Sequence, residues 1–358
     1  MNQPLPRPLP PLQTGPAAWK GPDMLARATE WTVRLSESDV AEVQAALRAW
    51  RARPGAGTES NPAPLKGSDF PLPQLGLRLK AIQHDLLHGR GFVLVKGMPV
   101  NQWSTEDSAM AFIGLGAHLG NARSQNAKGH LLGHVRDVGL ASTDPNVRIY
   151  QTHERQTFHT DSCDVVGLLC LREARSGGDS LLVSSTTLYN EILTRRPDLA
   201  PWLFEPVATD RRGEVPAGMK PWFEIPVFNW YEGYLTALYQ RQYVDSAQRF
   251  EQAPRLHPQQ IEVLDLLDQL TNDPSLNFSM RLEPGDMQFV HNHTMLHDRT
   301  AFEDFADPAE RRYLLRLWLA VPGARPLPEV FRQRYGSISI GDRGGIVVPG
   351  ARQTVEMA

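Results

Sequence analysis

Cysteine is scarce in this sequence: Cys163 and Cys170 are the only two among 358 residues. Two cysteines cannot build a disulfide framework, and their spacing does not match that of a zinc site. The sequence therefore does not belong to the disulfide-rich secreted class, and a reducing, cytoplasmic location is expected. We interpret Cys163 as buried packing rather than as a thiolate ligand.

Long apolar runs are lacking as well, since no stretch of about 18 apolar residues occurs. Repeated prolines near the N-terminus interrupt the kind of apolar segment that a signal peptide needs. We therefore predict no membrane partner. Residues 1–22 are interpreted as a Pro-rich arm in front of a single domain at 23–358. Such an arm could reach across the two-fold interface of a homo-oligomer.

Neither sign of charge dominates: 37 Lys and Arg oppose 40 Asp and Glu, and the formal net charge is -3. The basic residues are scattered, which gives no electrostatic footprint for nucleic acid. The 41% of hydrophobic residues is enough to bury a sizeable core. A small molecule is therefore the expected partner.

Helical periodicity is clearest in the first third of the chain. A capping box at Ser36 opens a helix that is predicted to end near residues 53–55, before a loop at 54–70. Apolar residues recur at helical spacing in four further segments, two of them in a predicted insertion at 186–275. These segments are 75–86, 104–119, 186–200 and 258–271.

Short strand candidates, rich in β-branched and aromatic residues, recur from residue 92 onward and are separated by turn residues. Many short strands with intervening loops predict a β-sandwich or barrel, here with its core at about 90–321. The candidates are 92–97, 147–152, 165–171, 180–184, 235–239, 277–282, 287–290 and 313–321.

A metal site is indicated by His159 and Asp161, which lie two residues apart and share a face if the backbone is extended. His297 is chosen as a third ligand over His291 and His293. Two histidines and one carboxylate suit an octahedral Fe(II) with three open positions, whereas a closed zinc site leaves none. The histidine–aspartate spacing alone is also compatible with an ordinary surface strand.

Four motifs in order make the chain resemble the taurine dioxygenase and clavaminate synthase superfamily over residues 90–321. These oxygenases depend on Fe(II) and 2-oxoglutarate. The proximal ligand pair is similar to His159-Thr160-Asp161, and a Gly-Gly-Asp-Thr turn is similar to 177–180. The distal ligand motif, Asn-x-x-x-x-His, resembles 292–297, and an Arg-x-x-x-Arg strand resembles 312–316.

The resemblance implies a mainly β fold with flanking helices, in which a double-stranded β-helix (jelly roll) forms the core beside a helical insertion. It implies Fe(II) held by the His159, Asp161 and His297 side chains, with 2-oxoglutarate and O2 as cosubstrates. Arg312 is expected to pair with the far carboxylate of 2-oxoglutarate, assisted by Ser180 in place of the family's threonine. A carboxylate at Asp161 disfavours halogenation.

The implied reaction is hydroxylation or desaturation of an unactivated C–H bond of a small organic substrate, with release of succinate and CO2. The substrate is expected to be anionic or amino-acid-like, with Arg316, Arg155 and Gln125 as candidate contacts; Arg316 is also expected near the iron-bound end of 2-oxoglutarate. Aromatic residues between Trp222 and Tyr234 are candidate pocket lining. The alternatives are a metal-dependent hydrolase or isomerase on the same fold, and a catalytically silent binding protein.

Overall fold

The computed structural model describes residues 8–53, 65–140, 147–216, 218–348 and 350–356. Most of the loop expected at 54–70, and the first seven residues of the arm, lie outside these ranges. No helix in the described ranges is both long enough and apolar enough to cross a bilayer.

Nine α-helices occur among the described residues. The Ser36 hydroxyl accepts a hydrogen bond from the Asp39 amide and the Asp39 carboxylate accepts from the Ser36 amide, so the predicted capping box opens α3. Pro258 begins α8, where its missing N–H is not needed. The helices are α1 (Gly21–Ala26), α2 (Ala28–Trp31), α3 (Glu37–Arg51), α4 (Leu75–His88), α5 (Thr105–Leu119), α6 (Ser185–Arg195), α7 (Arg241–Ala247), α8 (Pro258–Thr271) and α9 (Arg332–Tyr335).

Short strands fill most of the chain after residue 90. The described strands are β1 (Thr32–Arg34), β2 (Phe92–Lys96), β3 (Asn121–Ala122), β4 (Leu132–Val135), β5 (Gln156–His159), β6 (Val165–Arg172), β7 (Ser176–Gly177), β8 (Ser180–Ser184), β9 (Pro206–Asp210), β10 (Trp222–Pro226), β11 (Phe228–Tyr231), β12 (Tyr234–Ala237), β13 (Phe278–Met280), β14 (Met287–His291), β15 (Met295–Arg299), β16 (Phe302–Glu303), β17 (Tyr313–Ala320), β18 (Ile338–Ser339) and β19 (Asp342–Arg343).

One strand prediction is wrong. Residues 147–152 contain a short 3-10 helix, Ile149–Gln151, instead of a strand. The backbone of this segment closes on itself, since the Gln151 amide donates to the Arg148 carbonyl and the Thr152 amide donates to the Ile149 carbonyl. Ile149 and Tyr150 line a cavity instead.

Two sheets form the core and carry the double-stranded β-helix. The larger sheet has the order β1-β2-β14-β6-β17-β3, with β4 also paired to β17, and the smaller has the order β13-β8-β15-β5. Along β17, Leu315 and Leu317 pack with the cluster that includes α4 and α5 residues. Leu314 and Trp318 point the other way, into the cluster that also contains Leu182 of the smaller sheet. Even-numbered β17 side chains therefore face the space between the sheets.

The outer face of the smaller sheet is covered by the 186–275 segment. Leu188, Leu264 and Phe228 share one buried cluster with Val183 and Leu296 of the sheet. The segment contains α6 and α8 as expected, and also α7 and the hairpins β9–β10 and β11–β12, which were not predicted. It forms a second layer that closes one side of the core.

Residues 8–22 of the arm lie along the body of the same chain. The Trp19 indole is buried among the rings of Phe92 and Phe278 and donates to the Arg90 carbonyl over 2.9 Å. Thr187 donates to the Trp19 carbonyl over 2.7 Å. This part of the arm is therefore an integral piece of the fold.

Candidate metal centre and cosubstrate site

Strand register brings the three predicted metal ligands together. His159 ends β5 and pairs directly with His297 of β15, so the two imidazole rings lie 4.1 Å apart between centroids. Asp161 follows two residues later, and its Oδ2 lies 4.0 Å from His297 Nε2. One ligand atom from each of the three side chains lies within 4.8 Å of the others. The three side chains could therefore hold a single ion.

The protonation of this group suits a divalent cation. Burial lowers the pKa of His297 to about 3, helped by the neighbouring His159, so the imidazole is neutral at pH 7. Burial opposes ionisation of Asp161, but Arg316 and the two histidines outweigh it and lower its pKa to about 2. Two neutral imidazoles and one carboxylate thus face each other.

The hydrogen bonding of the two histidines indicates that their Nε2 atoms could bind a metal. His159 Nδ1 lies 2.8 Å from the Thr157 carbonyl oxygen, which only accepts, so Nδ1 carries the proton and Nε2 keeps its lone pair. The Gln156 amide nitrogen lies 2.9 Å from that Nε2 and donates to its lone pair, so this amide would have to turn away for Nε2 to bind a metal. His297 Nε2 is buried without any hydrogen-bond partner in the described structure. An unsatisfied buried acceptor of this kind is accounted for by a coordinated cation.

The asparagine of the distal motif joins the two halves of the site. Asn292 Oδ1 accepts from the Asp161 amide over 3.0 Å, and its amide group lies 3.1 Å from Cys163 Sγ. The unused histidines are occupied elsewhere: His293 lies 2.9 Å from the Asp164 carboxylate, and His291 Nδ1 lies 3.0 Å from the Thr294 hydroxyl. The choice of His297 over these two agrees with the geometry.

Trp318 and Arg316 contact the Asp161 carboxylate, and Gln125 in turn holds Arg316. The sequence did not predict this arrangement. The Trp318 indole donates to Asp161 Oδ2 over 2.9 Å, and Arg316 Nη1 lies 3.4 Å from the same oxygen. Arg316 Nε donates to Gln125 Oε1, while the Gln125 amide donates to the carbonyls of Arg316 and Leu131. Gln125 therefore orients Arg316 and is not directed at the cavity beside Asp161.

Arg312 occupies a pocket at the glycine turn. Its guanidinium lies over the Phe302 ring, and Nη2 reaches the Gly178 carbonyl at 3.4 Å. Nη1 is buried and has no partner in the described structure. Gly178 has φ +77°, and a Cβ there would lie 2.8 Å from Arg312 Nε. The turn thus leaves room for a buried guanidinium that still has a free N–H for an anion.

The neighbouring hydroxyl is already engaged. Ser180, two residues after Gly178, donates to Gln288 Oε1 over 3.0 Å. Arg299, its partner across the ladder, donates to the carbonyls of Thr152 and Glu154. The assignment of Ser180 to the cosubstrate carboxylate stays a prediction.

Arg155 lies apart from the metal ligands. Its Nη2 donates to Asp298 over 2.7 Å and to Asn272 over 2.7 Å, and the Asp298 carboxylate is fully buried. These two partners satisfy much of its guanidinium. Its predicted contact with substrate stays a prediction.

A cavity that is partly open to solvent borders Asp161. Arg316 and Trp318 form its inner wall, and Tyr150 and Tyr239 stand at its sides. Of the aromatic residues predicted as pocket lining, Phe223 borders this space, whereas Trp230 and Tyr234 are largely exposed on the β11–β12 hairpin. Sequence reasoning missed Arg148, Ser162 and Arg334, which also line it.

Comparison with known proteins identifies the family. The taurine catabolism dioxygenase TauD, TfdA family matches residues 53–318. The chain belongs to the TauD/TfdA family. FR-33289 synthase of Streptomyces rubellomurinus is 32% identical over 323 residues, which are 88% of this chain and 92% of that protein.

Two further matches fit this membership. Uridine-5'-phosphate dioxygenase of Amycolatopsis sp. is 30% identical over 185 residues, 49% of this chain and 65% of that protein. A solved asparagine oxygenase, holding Fe(II), 3-hydroxyasparagine and succinate, aligns over 81% of this chain and 93% of its own with a TM-score of 0.61 at 16% identity. This structural match supports the double-stranded β-helix fold.

The TauD/TfdA family member described here is an Fe(II)- and 2-oxoglutarate-dependent dioxygenase. The expected group of His159, Asp161 and His297 is the candidate metal site, since its ligand atoms lie close enough together to hold one ion. The buried Arg312 has an N–H without a partner, which suits an anion, and its pairing with 2-oxoglutarate stays a prediction. The family match favours an oxygenase over the alternative functions. The metal-dependent hydrolase and the silent binding protein are therefore set aside.

Proposed function

We propose that this protein hydroxylates an unactivated C–H bond of a small anionic molecule, coupled to conversion of 2-oxoglutarate into succinate and CO2. The observation that carries the proposal is the position of the cavity, which borders the metal ligand Asp161. A substrate in this cavity would present its C–H bond beside the metal.

Fe(II) in a site of two histidines and one carboxylate keeps three positions open, and with 2-oxoglutarate and O2 it supplies the oxidising power for the reaction. The protein's own residues do the rest. Arg312 holds and orients the cosubstrate through its far carboxylate. Trp318 and Arg316 fix the Asp161 carboxylate, and the aromatic walls of the cavity exclude water from the reacting carbon.

Charge supports an anionic substrate. Arg148, Arg316 and Arg334 line the cavity, against the carboxylates of Asp161 and Asp210. A bound Fe(II) would add further positive charge. Uridine-5'-phosphate dioxygenase, a relative at 30% identity, has a phosphate-bearing molecule in its name. The solved relatives are below 25% identity, so their amino-acid ligands do not select the substrate.

The first test is anaerobic addition of Fe(II) and 2-oxoglutarate, followed through the visible charge-transfer band of their chelate. The parent protein is expected to show the band, and His297→Ala is expected to abolish it. Arg312→Ala should raise the 2-oxoglutarate concentration needed for half-saturation by about 10- to 100-fold, because a charge-assisted pair is lost.

The matched control is Arg311→Ala, since Arg311 adjoins Arg312 but is exposed. This control should titrate like the parent. In air, the parent should slowly release succinate from 2-oxoglutarate even without substrate. A parent protein that shows neither the band nor succinate would contradict the proposal.

A further inference from the structure

One wall of the cavity beside Asp161 is formed by residues that belong to neither the candidate metal site nor the candidate cosubstrate site. Arg334, from the short helix α9, reaches into the cavity and donates from Nε to the Ser162 hydroxyl over 2.8 Å. Its guanidinium lies over the Phe223 ring, 5.6 Å from the centroid. Both Arg334 and Ser162 therefore border the same space as the metal ligand.

Most arginines along this wall of the cavity are paired with carboxylates, but Arg334 is not. Arg148 is paired with Glu214, and Arg249 lies 3.0 Å from the Asp210 carboxylate. Arg334 makes no ion pair with a carboxylate in the described part of the chain.

A second cation lies behind Arg334. Arg211 donates to the backbone carbonyls of Lys220 and Gln333, which are neutral. Burial lowers the pKa of both Arg211 and Arg334 to about 10, and repulsion from neighbouring arginines adds to the effect. Both guanidiniums are still charged at pH 7, but only Arg334 lines the cavity, and it does so without a paired carboxylate.

The other arginines near the metal centre already have carboxylate partners. Arg316 is paired with Asp161 and bound to Gln125, which leaves only its buried Nη2 without a partner, and Arg155 is paired with Asp298. The anion expected from the sequence therefore has its place at Arg334 rather than at either of them.

Donors on this wall come from several directions. Ser162 accepts from Arg334, which leaves its own proton to donate, and the Tyr243 and Thr209 hydroxyls line the same cavity. A planar carboxylate is satisfied by one guanidinium fork, whereas a tetrahedral oxyanion has three terminal oxygens that take donors from different sides.

We infer that Arg334 and Ser162 form a subsite for a phosphoryl oxyanion of the substrate, either a phosphate ester or a phosphonate. The inference rests on the proposed function and names the substrate class. Ser162 adjoins Asp161 in sequence, so an anion held here anchors the molecule close to the metal. Both Arg334 and the tail that carries it follow the 53–318 family match. The subsite is thus a feature of the C-terminal segment.

The test measures anion binding to the anaerobic Fe(II)- and 2-oxoglutarate-loaded protein by calorimetry. The probes are methyl phosphate, methylphosphonate and acetate. Both phosphoryl probes are expected to bind more tightly than acetate, and the tighter of the two identifies the source of the group. Arg334→Ala and Ser162→Ala should weaken binding of both, the former by about 10- to 100-fold.

Arg332→Ala is the matched control, because Arg332 lies on the same helix but is exposed. It should bind the probes like the parent. Arg334→Gln keeps a donor to Ser162 without the charge and should resemble Arg334→Ala. Equal binding of the probes by parent and Arg334 variants, tighter binding of acetate, or no binding of either phosphoryl probe would overturn the inference.

The charge-transfer band separates this inference from the proposed function. Arg334→Ala should keep the band at parental 2-oxoglutarate concentrations, because the cosubstrate is held by Arg312. A missing band in the parent protein would refute the proposed function, whereas an intact band without phosphoryl binding would refute only the subsite.

Discussion

At the residue scale, the turn before β8 requires glycine at both of its positions, 177 and 178. Gly177 and Gly178 both have φ near +70° to +77°, where side chains are strained. A Cβ at Gly177 would lie 2.2 Å from the Ala301 carbonyl oxygen, and one at Gly178 would press on Arg312. Both the backbone conformation and the space that the Arg312 side chain occupies therefore require glycine in this turn.

We expect Gly178→Ala to weaken 2-oxoglutarate binding at least about tenfold, because the methyl group displaces the Arg312 side chain. Backbone strain should also lower the free energy of unfolding by about 1 kcal/mol. The control is Gly323→Ala, since Gly323 has φ +83° with open space around its Cβ position. It should show the strain without the binding defect; equal binding defects in both variants would contradict this explanation. Cosubstrate titration and urea unfolding measure the two effects.

Trp318 offers a second residue-scale prediction. Its indole N–H bonds the Asp161 carboxylate, and partners of metal-ligating groups typically contribute about 10- to 100-fold in affinity. Trp318→Phe should weaken Fe(II) binding by that factor while the far-UV circular dichroism stays parental. Anaerobic Fe(II) titration measures the affinity. An unchanged Fe(II) affinity would show that the indole does not orient the ligand.

The sequence correctly predicted which three side chains meet at the candidate metal site, because they lie in short, ordered motifs. The role of Arg312 stays a prediction. Trp318 was not, since its role depends on the inward direction of even-numbered β17 side chains. Arg334 was not either, because it reaches Ser162 from 172 residues away in sequence. No local pattern marks a contact of that kind.

At the element scale, the Pro-rich arm behaves as part of the core. Ser184, which caps α6, donates to the Ala17 carbonyl over 2.5 Å, and Gln13 and Asn190 exchange two hydrogen bonds of 2.8 Å. The arm thus covers the start of α6 beside the smaller sheet. A role in bridging two copies of the chain stays a prediction.

We predict that Trp19→Ala lowers the free energy of unfolding by about 3–5 kcal/mol, because it empties a buried aromatic site. Leu12→Ala, in the same arm, should change it by less than about 0.5 kcal/mol, since Leu12 is 54% exposed. Urea denaturation measures both. A small effect at Trp19 would mean that the arm detaches without disturbing the core.

Elements with strong local signals were predicted well. Helix α8 was predicted at its observed limits from Pro258 and the apolar spacing that follows. The error at 147–152 arose because Val147, Ile149 and Tyr150 have strand-like side chains, and pattern alone does not reveal that the backbone closes into local turn hydrogen bonds. The hairpins of the 186–275 segment depend likewise on packing against the smaller sheet.

At the scale of the whole molecule, buried histidines near the metal centre make stability depend on pH. Burial lowers the pKa of His293 to about 4, and it holds the pKa of His291 well below its usual value. Both are neutral in the folded protein, whereas an unfolded chain protonates histidine near pH 6.5. Their favourable contribution is therefore complete above about pH 6.5 and is lost as the pH falls towards 4 and below.

The metal-free protein should lose up to about 1.4 kcal/mol of unfolding free energy per pH unit for each such histidine between pH 6.5 and 4. His293→Gln should reduce this slope by about one histidine's share. The same change at His153, whose side chain is mostly exposed, is the control. Urea unfolding at several pH values gives the slope, and a flat profile in the parent would refute the explanation.

The pairing of His159 with His297 has a consequence for assembly of the active enzyme. Strand β5 is an edge strand whose one ladder in the described sheet runs to β15. An ion coordinated by both histidines would link β5 to β15. Asp161, just beyond the end of β5, would provide the third ligand. Loading with iron should thus slow amide hydrogen exchange in β5 far more than in β8, which is already flanked by two strands.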